Sequence, residues 1–292
     1  MRSTGETMIR ALGYACVFLL LLPSCKKDDK VPSYLEVRDP SVSADPLTEG
    51  SSSSKITEVW VYVEDEALGV WEPPARVPIL ASGSQRVQVI AGIRRNGISS
   101  DIIQYPFYET WEAPLDLVLQ QTTVVEPVFT YFDGLDFWIE AFEDPGYKFT
   151  VAAESDTTLY TETDPGLVFE GNASGAFYLD QQRPFFRCVT DEDFTSNGTG
   201  PVFLELDYRC DHRFLIGVYY DFGGTVVQEP FLFVSSTKRE DGGMPWNKIH
   251  VDLSSLFNQP GISDREFYIE SQLDLDATSA EFYLDNIKLV RN

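Results

Sequence analysis

Hydrophobic positions along this chain recur at every second residue, not every third or fourth. Ile56-Thr57-Glu58-Val59-Trp60-Val61-Tyr62-Val63-Glu64 is a run of β-branched and aromatic residues that predicts a strand. Residues 86–93 alternate in the same way, and Asn96-Gly97 after them is a strong hairpin signal. Shorter strands are predicted over 68–71, 77–80, 115–119 and 124–131, with Pro73-Pro74 as a stop. No segment here carries a helical period, so residues 34–132 are expected to form an N-terminal β-sandwich.

Residues 133–292 continue the pattern. Strands are predicted over 137–142, 167–170, 175–179, 185–189, 202–209, 213–220, 231–234, 248–253, 267–271 and 280–290, separated by Gly, Asn, Asp and Pro clusters. One short helical turn is expected within 252–257. So many strands at this spacing imply a second sandwich or jelly roll. The expected fold class is all-β, one sandwich following another.

The first thirty residues break the alternation. Arg10 is followed by an apolar run over 11–22, interrupted only by Gly13. It is shorter than the roughly 20 residues of a membrane-spanning helix and suits a signal peptide, with Met8 an alternative start. The run ends in Leu22-Pro23-Ser24-Cys25, which resembles a bacterial lipobox, although Pro23 departs from the usual small or β-branched residue. The resemblance implies that residues 1–24 are removed and that Cys25 is acylated and anchored by several chains, as stable attachment requires. Lys26-Lys27-Asp28-Asp29 is similar to the export signal of some Gram-negative surface lipoproteins. The expectation is a lipoprotein of the outer membrane, facing outward; the alternative is a cleaved secretory signal with Cys25 left as a thiol. Residues 25–33 would be a tether. Tether-like composition continues to residue 55, with Pro40, Pro46, Gly50 and the serines 51–54. Tyr34-Leu35-Glu36-Val37 could instead be a first strand.

The formal net charge of −24 opposes approach to a phosphate backbone and excludes nucleic acid as a main partner. Of four cysteines, Cys188 and Cys210 remain beyond the anchor. They could form one disulfide in an oxidising compartment, or lie buried as small hydrophobes.

The N-terminal half looks like that of uncharacterised Gram-negative surface lipoproteins through residues 55–63, 91–98 and Tyr105-Pro106-Phe107-Tyr108. That likeness implies a transthyretin-like or immunoglobulin-like module and brings no activity. The C-terminal half resembles the galactose-binding-like jelly roll of carbohydrate-binding modules. The likeness is carried by residues 169–175, 203–208, Trp246-Asn247-Lys248-Ile249-His250-Val251-Asp252-Leu253-Ser254 and 282–289. It implies a fold, and sugar binding more weakly, because this fold hosts many functions.

Candidate chemistry is sparse. His212 and His250 have no partner at metal-ligand or triad spacing. Acidic residues are abundant, but no motif marks a catalytic pair, and no enzymatic activity is expected. The jelly-roll likeness implies a structural calcium ion, for which Glu140, Glu143, Asp144 and Asp285 are the candidate oxygen ligands. No other cofactor is expected. Tyr147, Tyr160 and Trp138 are candidate sugar-binding rings, with Tyr219, Tyr220 and Trp246 as further aromatics, although most sandwich aromatics are core. The leading expectation is a non-catalytic surface lipoprotein that binds a glycan or a partner protein at the outer membrane. The alternatives are an accessory subunit of a secretion, adhesion or gliding complex and, last, a glycoside hydrolase.

Overall fold

The computed structural model describes residues 31–196 and 198–292. The N-terminal strands are β1 (Ser33–Val37), β2 (Ser41–Val42), β3 (Glu58–Val63), β4 (Glu66–Trp71), β5 (Ala75–Ile79), β6 (Gly83–Arg94), β7 (Ile102–Gln104), β8 (Trp111–Leu117), β9 (Thr122–Val125) and β10 (Val128–Phe129). They form a β5-β1-β9 sheet, a β10-β2 pair, and a β4-β3-β6-β7 sheet to which β8 adds along β6. Leu35, Val37 and Val77 from the first sheet meet Val59, Val61, Val87 and Val89 from the larger one. The alternation read in the sequence therefore separates a buried face from an open one.

The C-terminal strands are β11 (Asp136–Glu140), β12 (Phe149–Val151), β13 (Tyr160–Glu162), β14 (Ser174–Asp180), β15 (Phe185–Thr190), β16 (Val202–Cys210), β17 (Phe214–Phe222), β18 (Thr225–Val234), β19 (Asn247–Asp252), β20 (Ile262–Gln272) and β21 (Ser279–Arg291), with one helical turn, α1 (Ser254–Phe257). One sheet runs β13-β14-β21-β16-β19, with β11 also on β21; the other runs β12-β15-β20-β17-β18. From β14 onward the chain crosses between the two sheets at nearly every connection, which gives a jelly-roll sandwich. The exception is the β17–β18 hairpin, where Gly223 and Gly224 both take positive φ, as a tight primed turn requires. Strand β18 is longer than its apolar pattern indicated. It is an edge strand holding Gln228, Glu229 and Pro230, so it has backbone pairing but little buried face.

The expected flexible tether is overturned at its far end. β1 is a paired strand, and the serine run is docked against the jelly roll. Ser53 Oγ donates to Asp207 at 2.9 Å, the Ser51 carbonyl accepts from Lys288 Nζ at 2.5 Å, and the Ser51 hydroxyl donates to Glu170. Serines suit a flexible linker, but they equally supply the small donors that buried charges need.

Those charges define the junction between the two sandwiches. β16 turns Leu204 and Leu206 into the jelly-roll core, and Phe203 the other way, into the N-terminal core. On that same outer face lie Glu205 and Asp207, with Lys248 and His250 of β19 and Lys288 of β21, all buried. The N-terminal sandwich closes over them with Tyr105, Phe107, Tyr108 and Tyr131. Glu205 Oε1 accepts from Tyr105 at 2.5 Å and from Tyr131 at 3.0 Å, while Oε2 faces Lys248 Nζ at 3.6 Å. Tyr105 meets Phe203 and His250 edge-on, at 5.4 and 5.0 Å between centroids. The Asn96-Gly97 turn docks on the same strand: Asn96 N donates to the His250 carbonyl and Asn96 Oδ1 accepts from Asp252 N, at 2.9 and 2.8 Å.

Burial by itself would raise the Glu205 carboxyl, but Lys248, His250 and Lys288 outweigh it and hold the group down at about 2. Because its ordinary value of 4.5 lies above the folded one, its stabilisation is complete above pH 4.5 and is lost as pH falls through about 2. Glu205→Ala should lower the unfolding free energy near neutral pH by about 3–5 kcal/mol, because Lys248 loses one of its two buried carboxylates and the Tyr105 and Tyr131 hydroxyls lose their acceptor. Urea titrations of parent and variant should show that gap closing between pH 4.5 and about 2.

Candidate functional site

The jelly roll has two outer faces, and the junction leaves them in different states. The β16–β19 part of the first is roofed by the N-terminal sandwich. The second, on β12-β15-β20-β17-β18, carries no such cover. Register places its outward side chains in rows across four strands. Arg187 of β15 lies opposite Glu270 of β20, which lies opposite Leu215 of β17, which lies opposite Phe233 of β18. The next row holds Val189, Tyr268, Gly217 and Pro230, and beyond it Glu266, Tyr219 and Gln228. The residues between these, including Phe267, Ile269, Ile216 and Val218, enter the core.

The centre of the face is a ring laid on backbone. A Cβ at residue 217 would come within 2.3 Å of the Tyr268 hydroxyl and ring. Gly217 is therefore what lets Tyr268 lie flat as a buried floor. Tyr219 stands beside it, with centroids 5.0 Å apart and planes at 45°. The Arg187 guanidinium sits 5.7 Å from the Tyr268 centroid and 5.1 Å from that of Phe185. Its Nε donates to Glu270 Oε2 at 2.6 Å, with Nη2 2.5 Å from the same oxygen. Its remaining nitrogen pairs with Glu154. Gln228 reaches Glu270 at 3.4 Å. Burial raises the Tyr268 phenol, with Gln228 opposing it; burial also raises that of Tyr219, against the Arg187 charge. Both therefore stay neutral, but the Tyr268 hydroxyl is buried without a partner among the described residues, so only the half-buried Tyr219 can donate outward. Beside Glu270, a hollow of about 180 Å³ lies among Arg213, Leu215, Phe233 and Gln272. Phe233 is 62% exposed, with Arg213 over its ring at 5.3 Å. Aromatic planes flanked by fixed donors and acceptors suit a flat, hydroxyl-rich ligand.

The candidates from the sequence are distributed differently. Cys25 lies outside the described residues. Cys188 and Cys210 are both free and buried, so the possible disulfide is not formed. Cys188 is on β15 and Cys210 on β16, in sheets that stack about 10 Å apart, whereas a disulfide needs Cα atoms within about 7 Å. Burial pushes each thiol up to about 12.

The four calcium candidates do not assemble, and among the described residues no group of three or more such side chains is placed to hold a metal. Glu140 accepts from the backbone N–H groups of Phe142 and Lys148, both at 2.7 Å. Glu143 accepts from those of Asn172 and Ala173, and Asp285 from the Ser174 hydroxyl at 2.5 Å and Asn286 N at 2.8 Å. Glu140 thus holds the 142–148 turn, and Glu143 and Asp285 both hold the 170–174 turn. Glu140, Glu143 and Asp144 do share a cleft of about 670 Å³ with Tyr147, but Asp285 lies elsewhere.

Trp138 is not a binding ring. It is buried in the jelly-roll core, edge-on to Phe149, Phe194 and Phe267. Tyr147 packs partly on that core and its hydroxyl meets Thr161 at 2.9 Å. Tyr160, on edge strand β13, is 39% exposed beside Tyr178. Trp246 is half-buried against Phe169. The adjacent tyrosines divide as strand geometry dictates, Tyr220 inward and Tyr219 outward. Sequence reading reached Tyr219 but missed Tyr268, Arg187 and Glu270. Their charged and aromatic residues sit at alternate positions of β15 and β20, which marks an outward face but not whether it is covered.

No family model matches the chain, and no curated protein matches its sequence. Among solved structures it is similar to a xylan-binding domain of family 22, with 13% identity over 55% of this chain and 97% of that one, TM-score 0.36. It is similar to a carbohydrate-binding module of promiscuous specificity, with 13% identity over 90% and 99%, TM-score 0.41. It is also similar to a family 11 carbohydrate-binding module from Clostridium thermocellum, with 10% identity over 52% and 94%, TM-score 0.34.

Gly217→Ala should tilt Tyr268 off the sheet and cost about 1–3 kcal/mol by overpacking. Urea unfolding and near-ultraviolet circular dichroism would register both effects. Asp285 provides a second test. Burial raises its carboxyl from 3.8 to about 7, so the folded state holds its proton more tightly and loses stability as pH rises through 7. The melting temperature of Asp285→Asn relative to the parent should therefore be higher at pH 8 than at pH 5.

Proposed function

We propose that this protein is a non-catalytic lipoprotein of the outer membrane that binds a glycan on the open face of its jelly roll. The observation that carries the binding reading is the cluster of Tyr219, Arg187 and Glu270 set over the buried Tyr268 ring on this sheet, with the exposed Phe233 beside it. Rings lie against the apolar faces of sugars, and an arginine–carboxylate pair presents a fixed donor and acceptor to their hydroxyls.

A hydrolytic reading fits this face less well. A glycosidase needs a protonated acid and a second carboxylate flanking the bond. The neighbouring carboxylates here, Glu154 and Glu270, both accept from one guanidinium. Glu266 and Glu270 are four residues apart on one strand, about 13 Å by strand rise, beyond the roughly 5–9.5 Å of such pairs.

The anchor reading rests on residues 10–29. With β1 beginning at Ser33, the intervening stretch 26–32 spans at most about 25 Å, which would hold the sandwiches close to the lipid surface.

Screening the soluble chain on arrays of neutral and acidic glycans tests the reading. Tyr219→Ala and Glu270→Gln should each weaken binding about tenfold or more, while Tyr160→Ala leaves it unchanged. Blank arrays, together with stoichiometric recovery of an outer-membrane assembly in detergent, would replace the glycan with a protein partner.

A further inference from the structure

The open face does not end at Phe233. That residue lines both the hollow beside Glu270 and a second cavity of about 260 Å³. The second cavity lies where the Asn96-Gly97 turn of the N-terminal sandwich meets β19, and Lys55, Asn247, Ser235 and Ser236 also line it. It is below the roughly 300–1,000 Å³ of drug-sized sites, which is room for a single sugar unit.

Its lining differs in charge from the chain as a whole. In a chain of net charge −24, this lining contains Lys55 and Lys248 and no carboxylate. Lys248 is turned inward, with Nζ 3.5 Å from Asp207 and 3.6 Å from Glu205. Lys55 forms no ion pair among the described residues, and its Nζ donates to Asn247 Oδ1 at 2.6 Å. Burial and the nearby Arg94 both lower its affinity for the proton. An incoming anion would offset both effects, whereas a neutral hydroxyl would not.

We infer that the cavity at Lys55 is an anion subsite, and that the glycan bound on the open face carries an anionic group, a uronate carboxylate or a sulfate ester, which seats there. This rests on the glycan-binding reading and adds to it the class of sugar. It also gives the N-terminal sandwich a part in recognition, because Lys55 and Asn96 belong to that half.

The test uses the full soluble chain and matched probes that differ only in charge: oligogalacturonate with its methyl ester, and a sulfated galactan oligosaccharide with its desulfated form. Isothermal titration should show one charged member binding about tenfold more tightly than its neutral twin. That preference should shrink as salt rises. Lys55→Gln should remove it, Lys55→Arg should keep it, and Tyr219→Ala should weaken both members. Whichever pair shows the preference identifies carboxylate or sulfate. Equal binding of charged and neutral twins, or a preference that survives in Lys55→Gln, overturns the anion subsite and leaves the glycan reading standing. No binding to either pair or to any array glycan overturns both. A melting temperature for Lys55→Gln equal to that of the parent confirms that the variant is folded.

Discussion

Glu205 is a carboxylate with no exposure to water, and the arrangement of the two sandwiches follows from satisfying it. One oxygen is held by two tyrosine hydroxyls of the N-terminal half and the other faces a lysine of the C-terminal half. A charge removed from water needs paired and well-directed partners, and here they come from both bodies. The serine segment contributes too, through Ser51 and Ser53. Separating the sandwiches would expose this polar set and also the shared packing of Phe203, Tyr105 and Phe107. The junction is therefore made of directional polar contacts set within an aromatic frame, a combination that specifies orientation as well as contact.

The same junction decides which jelly-roll face is left without a cover. By closing over β16 and β19 it removes part of one jelly-roll face from solvent, and it leaves the β15-β20-β17-β18 face free. On that face, strand pairing alone sets Arg187, Glu270 and Leu215 in a row and puts the Tyr268 ring over Gly217. The site is thus carried on rigid strands, with side chains fixed by one another: the guanidinium by two carboxylates, Tyr268 by a glycine too small to push it away. Such a surface is formed before any ligand arrives and loses little conformational entropy on binding.

The N-terminal half has a second consequence for chemistry. Its residues Lys55 and Asn96 line, together with Phe233 and Asn247 of the jelly roll, the cavity at the margin of the two bodies. In this strongly acidic chain the lining of that cavity is unusual in carrying Lys55 and Lys248 and no carboxylate. That cavity exists in neither half taken alone.

Alternation of apolar residues was sufficient to identify an all-β chain, to locate strands such as β3, β6, β16 and β21, and to place Tyr219 and Tyr220 on opposite sides. These properties are local, because each depends on a period of two within a few residues. The apolar run at 11–22 and Cys25 are likewise readable only from local sequence. Short edge strands such as β12 and β13, and most of β18, were missed because edges bury little and so alternate weakly. The tertiary structure alone decided that the serine run is docked, that Trp138 is core, that Cys188 and Cys210 stay apart in opposite sheets, and that Glu140 holds the 142–148 turn while Glu143 and Asp285 hold the 170–174 turn. It also decided which outward face is covered. A sequence tells a residue's side of its own strand, but whether that side meets solvent or another body depends on contacts between residues a hundred positions apart, such as Tyr105 and Glu205, and no local pattern encodes those.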